Sequence, residues 1–302
     1  MKKILITGSN GLLGQKIVQQ WKEEQNFELI ATARGENRIT EITGFQYVSM
    51  DITKEENVLE VISEYKPDYV INTAAMTNVD QCEEEQELCL QLNVVAVKNL
   101  IKACEKAGSF LLHLSTDFIF DGEEGPYLEN AIPNPLSFYG QSKLDAEKLI
   151  QESSIKWAIA RTVLVYGITE GMSRSNIILW VKNSLEQGKE LQIVNDQWRT
   201  PTLAEDLAKG CLLICEKGAE GIFNISGKDL LNPYQIAMET VNFFGLDGSL
   251  ITETDESKFK QKAKRPPKTG FVIDKAKELL NYKPKSFKEG IGILAEQIKK
   301  YS

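Results

Sequence analysis

Tyr139 and Lys143 stand four residues apart in Tyr139-Gly140-Gln141-Ser142-Lys143, so on a helix their side chains rise from one face. A phenol beside an ammonium is a sensible proton donor. The free phenol titrates near ~10, and a neighbouring positive charge favours the phenolate and draws that value toward neutral pH. Upstream, Ser115-Thr116-Asp117 closes an apolar run, Phe110 to Leu114, that reads as a buried strand. A hydroxyl at the carboxyl end of such a strand sits where open α/β sheets bind ligands. Thr116, Tyr139 and Lys143 around one carbonyl would supply two oxygen donors and a charge. That suits hydride transfer to a ketone, where negative charge develops on oxygen. Tyr-x-x-x-Lys also fits an ordinary amphipathic helix with an exposed lysine, so the surrounding elements have to decide.

Those elements begin at once. Lys2 to Thr7 reads as a short strand, Gly8-Ser9-Asn10-Gly11-Leu12-Leu13-Gly14 as a glycine turn, and Lys16 to Trp21 as a helix. A glycine turn between strand and helix lets backbone approach a pyrophosphate held at the helix N-terminus. The spacing is G-x-x-G-x-x-G rather than the G-x-G-x-x-G of the best-known dinucleotide fingerprint. A second strand, Phe27 to Ala33, ends beside Arg34. A carboxylate at that distance would read a ribose 2′-hydroxyl, whereas an arginine points to a 2′-phosphate. NADP(H) is therefore favoured, Arg38 could assist, and nearby Glu36 keeps NAD(H) open.

Further strands are expected at Phe45 to Met50, leading to Asp51-Ile52 at an adenine edge, and at Pro67 to Asn72, leading to Thr73-Ala74-Ala75. A helix from Lys54 to Tyr65 separates them, and a long helix from Leu88 to Lys106 carries Asn93. The Tyr139 helix runs to Glu152, and Trp157 to Val165 is a sixth strand. Strands alternating with helices predict a Rossmann-type, doubly wound parallel sheet. It occupies residues 1–167, with 196–226 returning to it. Residues 168–195 and 227–302 form a smaller, discontinuous α/β substrate domain. The basic stretch Lys258 to Lys268 reads as an exposed loop or an anion site.

Bulk properties narrow the function. The formal net charge is −8, which argues against nucleic acid or an anionic membrane as partner. No apolar run approaches a membrane span, and Ile4-Leu5-Ile6 is too short for a signal core, so a cytoplasmic protein is expected. Five cysteines (Cys82, Cys89, Cys104, Cys211 and Cys215) without C-x-x-C spacing and one histidine, His113, make zinc an unattractive reading. No metal site is expected. Cys211 and Cys215, four apart in an apolar helical pattern, read as packing residues, and His113 as a core or supporting residue.

Taken together, Gly8-x-x-Gly11-x-x-Gly14, Asn72-Thr73-Ala74-Ala75, Ser115-Thr116-Asp117-Phe118-Ile119-Phe120-Asp121-Gly122, Tyr139-x-x-x-Lys143, Arg161-Thr162 and Asp196-Gln197-x-x-x-Pro201-Thr202 resemble the dTDP-4-dehydrorhamnose reductase family of extended short-chain dehydrogenases/reductases. The likeness covers nearly the whole chain. It implies reduction by NAD(P)H of the 4-keto group of a dTDP-4-dehydro-6-deoxy-L-sugar to dTDP-L-rhamnose. By that resemblance Tyr139 is the proton donor, Lys143 binds the nicotinamide ribose and lowers the Tyr139 pKa, and Thr116 orients the keto oxygen. The cofactor would lie over Gly8, Asn10, Gly11, Leu12, Leu13 and Gly14, with Arg34, Asp51, Ile52, Ala74, Ala75, Thr77 and Asn93 along it. Asp117, Phe118, Arg199, Thr200 and Thr202 would face the nucleotide sugar, with Arg199, and then Arg265, as candidates for its diphosphate. The expected partner is this substrate, and a homodimer is left open.

Two positions depart from the family pattern. Leu164 stands where an aromatic residue is common, and Gln197-Trp198-Arg199 lacks a common glycine. A 4,6-dehydratase would need an acid directly after Asp117, where this chain has Phe118. An epimerase on the same scaffold stays open, as does a regulatory subunit of the kind that binds methionine adenosyltransferase.

Overall fold

Strand β1 (Lys3–Thr7) has a fully buried apolar centre because helices cover both faces of the sheet it belongs to. The computed structural model describes residues 1–172, 175–259 and 261–301. After β1 come α1 (Leu12–Glu24), β2 (Glu28–Ala33), β3 (Gln46–Ser49), α2 (Glu55–Tyr65) and β4 (Tyr69–Asn72). Then follow α3 (Val79–Glu84), α4 (Gln86–Leu90), a π-helical turn (Gln91–Val95), α5 (Ala96–Ala107), β5 (Phe110–Thr116), α6 (Phe138–Gln151) and β6 (Trp157–Thr162). The remainder comprises β7 (Val165–Tyr166), α7 (Ile177–Glu186), β8 (Leu191–Val194), β9 (Thr202–Leu203), α8 (Ala204–Lys217), β10 (Gly221–Asn224), α9 (Pro233–Phe244), β11 (Ile251–Thr254), α10 (Asp274–Leu280) and α11 (Phe287–Tyr301).

Seven strands form one sheet in the order β10-β6-β5-β4-β1-β2-β3, and every pairing is parallel. The order reverses between β1 and β4, which opens a crevice at their carboxyl ends. This is the expected doubly wound Rossmann-type sheet, with β10 at its edge. One apolar layer packs α1, α8 and α10 against one face, through residues such as Ile17, Val18, Leu207, Cys211 and Leu280. The other packs α2, α5 and α6, through Val58, Ile62, Leu100, Ala103 and Ala146. All five cysteines are buried and none forms a disulfide, which agrees with the packing reading of Cys211 and Cys215.

Beyond β6 lie two short parallel pairs, β8 with β11 and β7 with β9, with a small apolar cluster of their own beside β8. That cluster joins α7, α9 and β8 through Val181, Leu185, Ile193 and Val241. Phe271, Ile273, Ala276 and Tyr282 instead join the core of the central sheet. The expected strand Trp157 to Val165 is broken, because Leu164 takes a left-handed backbone conformation (φ 37°). The Thr202 hydroxyl donates to Val163 O at 2.7 Å and the Thr202 amide to Leu164 O at 3.2 Å, which turns the chain into β7. The expected Leu88 to Lys106 helix is likewise interrupted by the π-helical turn, a rare form that recurs at functional sites. Within the basic stretch, Lys260 lies outside the described residues.

Candidate active site

The crevice starts at the turn after β1. Gly8 has φ +69°, and a Cβ there would lie 2.9 Å from both Ala74 N and Thr73 Oγ1. A residue with a side chain would therefore be strained in its backbone and would push β1 and β4 apart. The turn delivers Gly11 as N-cap of α1, a residue with no side chain to satisfy the first helical amides. Those amides remain available to an anion. Ser9 Oγ is buried in the same turn without a hydrogen-bond partner, a sign that the loop is built around a group it has yet to meet. These features fit a dinucleotide pyrophosphate.

The sequence-predicted cofactor residues gather around this turn in two sets. Asn10 reaches the loop after β2, its Nδ2 donating to Glu36 O at 2.9 Å and its Oδ1 accepting from Arg38 N at 2.9 Å. That loop leaves Arg34 exposed at the crevice rim. Asp51 is tied down by the amide and hydroxyl of Thr53 (3.0 and 2.7 Å). On the other side, Asn93 in the π-helical turn accepts from Met76 N at 2.8 Å and donates to Ser142 Oγ at 3.0 Å. This joins the loop carrying Ala74, Ala75 and Thr77 to α6. The inserted residue of the π turn is what points Asn93 inward, and no sequence period signals it.

Thr116, Tyr139 and Lys143 come from β5 and α6. Ser137 caps α6 by accepting from Gly140 N at 3.1 Å, and Glu83 accepts from Phe138 N at 2.7 Å. At Gly140 a Cβ would collide with Phe118 O, so only glycine lets α6 come this close to the residues after Thr116. The Tyr139 ring then lies edge-on to Phe118, centroids 5.8 Å apart. Thr116 Oγ1 donates to Asp117 Oδ1 at 3.1 Å.

The electrostatics differ from the expectation that Lys143 draws the Tyr139 pKa down. Burial pushes the Tyr139 phenol well above its usual range, and the facing Thr116 hydroxyl only partly opposes this. Lys143 Nζ donates to Leu114 O at 2.6 Å and meets His113 Nε2 at 2.9 Å. Burial also lowers Lys143 from 10.5 to about 8, against the charge of Glu147. A phenol held in its neutral form is what a proton donor requires.

Asp117 and Arg199 form a buried pair at 3.6 Å. The residues expected to face a nucleotide sugar are largely engaged within the protein. Arg199 donates to Trp198 O at 2.8 Å and Pro266 O at 2.7 Å. Asp117 Oδ2 also accepts from the Thr269 hydroxyl. Thr200 Oγ1 contacts Ser226 Oγ at 3.1 Å and accepts from Phe271 N at 3.2 Å, while Thr202 serves the β6–β7 turn. Arg265 pairs with Asp80 at 2.7 Å, bringing the basic loop onto α3. In this arrangement Arg199 braces the 266–269 segment, and Phe118 and Arg265 are the half-buried members of the set. Asn72, Gly140 and Thr269 are positioning residues that local pattern does not reveal. Among the described residues no group of His, Cys, Asp and Glu side chains is arranged to hold a metal ion, and no helix is long and apolar enough to cross a membrane.

A parallel sheet with a glycine turn after β1 and a Thr/Tyr/Lys set at β5 and α6 defines the class: an extended short-chain dehydrogenase/reductase. Within it, the chain belongs to the family described as RmlD substrate binding domain, whose profile matches residues 1–300. It is 31% identical to methionine adenosyltransferase 2 subunit beta of Xenopus laevis, over 84% of this chain and 76% of that protein. It is 29% identical to the "Probable low-salt glycan biosynthesis reductase Agl14" of Haloferax volcanii, over 98% of both. A dTDP-4-dehydrorhamnose reductase from Clostridium acetobutylicum shares its structure with TM-score 0.86 and 32% identity, over 98% of this chain and 99% of that one. A Thermus thermophilus UDP-glucose 4-epimerase, at 20% identity and TM-score 0.85, shares the fold.

Proposed function

We propose that the protein is an NAD(P)H-dependent reductase that converts the 4-keto group of a dTDP-4-dehydro-6-deoxy-L-sugar to the alcohol of dTDP-L-rhamnose. The observation that carries this reading is the Tyr139 phenol facing the Thr116 hydroxyl at the carboxyl end of β5, with Lys143 buried one turn further along α6. A nicotinamide bound there supplies hydride. Thr116 Oγ1 and Tyr139 Oη are the donors for the keto oxygen, and the neutral phenol gives up its proton as negative charge grows there. Lys143 stabilises the phenolate left behind and binds the ribose. Burial of all three side chains excludes water and strengthens each interaction. Arg34 at the end of β2 is the candidate contact for a 2′-phosphate, which makes NADPH the preferred donor.

Phe118 in place of an acid after Asp117 disfavours dehydration. The likeness to methionine adenosyltransferase 2 subunit beta supports a second reading, a regulatory subunit that keeps the cofactor site. The test is oxidation of NADPH, followed by absorbance, with dTDP-4-keto-6-deoxy-L-sugar, with NADH in parallel and the product sugar identified. Stoichiometric oxidation to dTDP-rhamnose supports the reductase. Tight NADPH binding without reduction of any keto sugar moves the regulatory reading forward.

A further inference from the structure

We propose that His113, the chain's single histidine, is a positioning residue that holds Lys143 Nζ in place through a row of side chains crossing three strands. Thr7, Asn72 and His113 occupy one register row: Thr7 on β1 pairs with Asn72 on β4, and Asn72 with His113 on β5. Side chains in one row point to one face. Thr7 Oγ1 meets Asn72 Oδ1 at 2.6 Å, the Asn72 amide meets His113 Nδ1 at 3.0 Å, and His113 Nε2 meets Lys143 Nζ at 2.9 Å. All four side chains are buried, so water does not compete for these contacts. The inference rests on the reading of Lys143 as part of the active site.

The row has two polarities. An ammonium has no lone pair, so with Lys143 charged, Nε2 must accept and a neutral imidazole carries its proton on Nδ1. Asn72 then presents its carbonyl oxygen to Nδ1 and donates through Nδ2 to the Thr7 hydroxyl. With Lys143 neutral the order reverses. Thr7 donates to Asn72 Oδ1, Asn72 Nδ2 to His113 Nδ1, and His113 Nε2–H to the amine lone pair. Between the two states one proton leaves to solvent: Nζ passes its proton to Nε2 as the Nδ1 proton departs. Burial and the Lys143 charge hold the imidazole far below its usual pKa, so it stays neutral throughout.

The titratable groups facing this row are few. Glu147, on α6, acts on Lys143 and is paired with Arg161 of β6. Cys89, on α4, also acts on Lys143, and its own thiol is drawn down by hydrogen bonds with Cys82, Ser142 and Asn93. Tyr139 stays protonated. From β1 and β4 the row receives only the hydroxyl and the amide.

A single histidine makes the test direct. In untagged protein with ¹⁵N-labelled histidine, long-range ¹H–¹⁵N correlation reads one imidazole between pH 6.5 and 9.5. The expected result is a neutral ring whose proton moves from Nδ1 to Nε2 as pH rises, with a midpoint at about 8. A fixed tautomer, or an imidazolium in this range, overturns the inference. In Lys143→Met the transition should vanish, and its persistence also overturns it. Neither reading needs a substrate, so a protein that shows the switch but reduces no keto sugar counts against the proposed function alone. In turnover, His113→Leu should move the alkaline limb of the pH profile down by about one unit or more, the scale of one hydrogen bond to a charge. His113→Gln, which keeps an acceptor at the Nε2 position, should restore it. An unmoved limb in His113→Leu rejects the role, and the wild-type spectrum decides even if that variant does not fold.

Discussion

Asp117 Oδ2 lies 3.6 Å from Arg199 Nε with both side chains almost wholly buried, so the residue after the candidate catalytic threonine is tied to the segment between β8 and β9. Burial raises the Asp117 carboxyl and lowers the Arg199 guanidinium. Both directions indicate that desolvation outweighs the mutual attraction. Such a pair adds little net stability yet is costly to break. Asp117→Ala should destabilise the protein by ~3–5 kcal/mol in urea unfolding, because Arg199 is left as an unpaired buried charge. Adding Arg199→Leu should recover part of that loss. A single variant as stable as wild type would show that Arg199 finds other partners.

Tyr139 is the proton donor of the proposed reaction, and its phenol is neutral at rest. Tyr139→Phe keeps the ring against Phe118 and removes only the hydroxyl. Turnover should fall by at least ~10²-fold, the contribution of a positioned acid. NADPH affinity, followed by fluorescence titration, should stay near normal. Unchanged turnover would remove Tyr139 from the mechanism.

Arg34 stands exposed just past the end of β2, where its charge also acts on the Asp51 carboxylate. A charge-assisted contact to a 2′-phosphate is worth ~1.5–3 kcal/mol. Arg34→Ala should therefore weaken NADPH by ~10- to 100-fold and leave NADH nearly unchanged. Equal losses for both cofactors would assign the arginine a role unrelated to the phosphate.

Much of this was legible in the residues. Apolar strand centres, the glycine turn at Gly8 and the Tyr139–Lys143 spacing are local patterns, and the sheet follows from their alternation. What local pattern misses is decided by tertiary approach. Gly140 is a glycine because Phe118 O lies against it, and Asn93 points inward because the π turn inserts a residue into its helix. Arg199 reads from its type as an anion contact, whereas burial against Asp117 and the Pro266 carbonyl commits it to the protein. The direction of the Tyr139 shift was also out of reach, because it depends on how completely the ring is covered.

Lys143 makes stability depend on pH in a direction unusual for a lysine. Its folded value is about 8 against 10.5 when unperturbed, so between those values the unfolded chain binds more protons than the folded one. Stability from this group therefore rises as pH increases from about 8 toward 10.5. Below that window the full penalty applies, ~3 kcal/mol at 1.36 kcal/mol per unit. Lys143→Met removes the titration together with the contacts to Leu114 O and His113. The loss of those contacts shifts the variant by a nearly constant amount, whereas the linkage term changes with pH. Relative to the variant, wild type should gain ~2–3 kcal/mol between pH 7 and pH 10, measured by urea unfolding of the unliganded proteins. A difference that stays constant across that range would mean Lys143 keeps an ordinary pKa despite its burial. A difference that moves the other way would mean the folded protein holds the ammonium more tightly than water does.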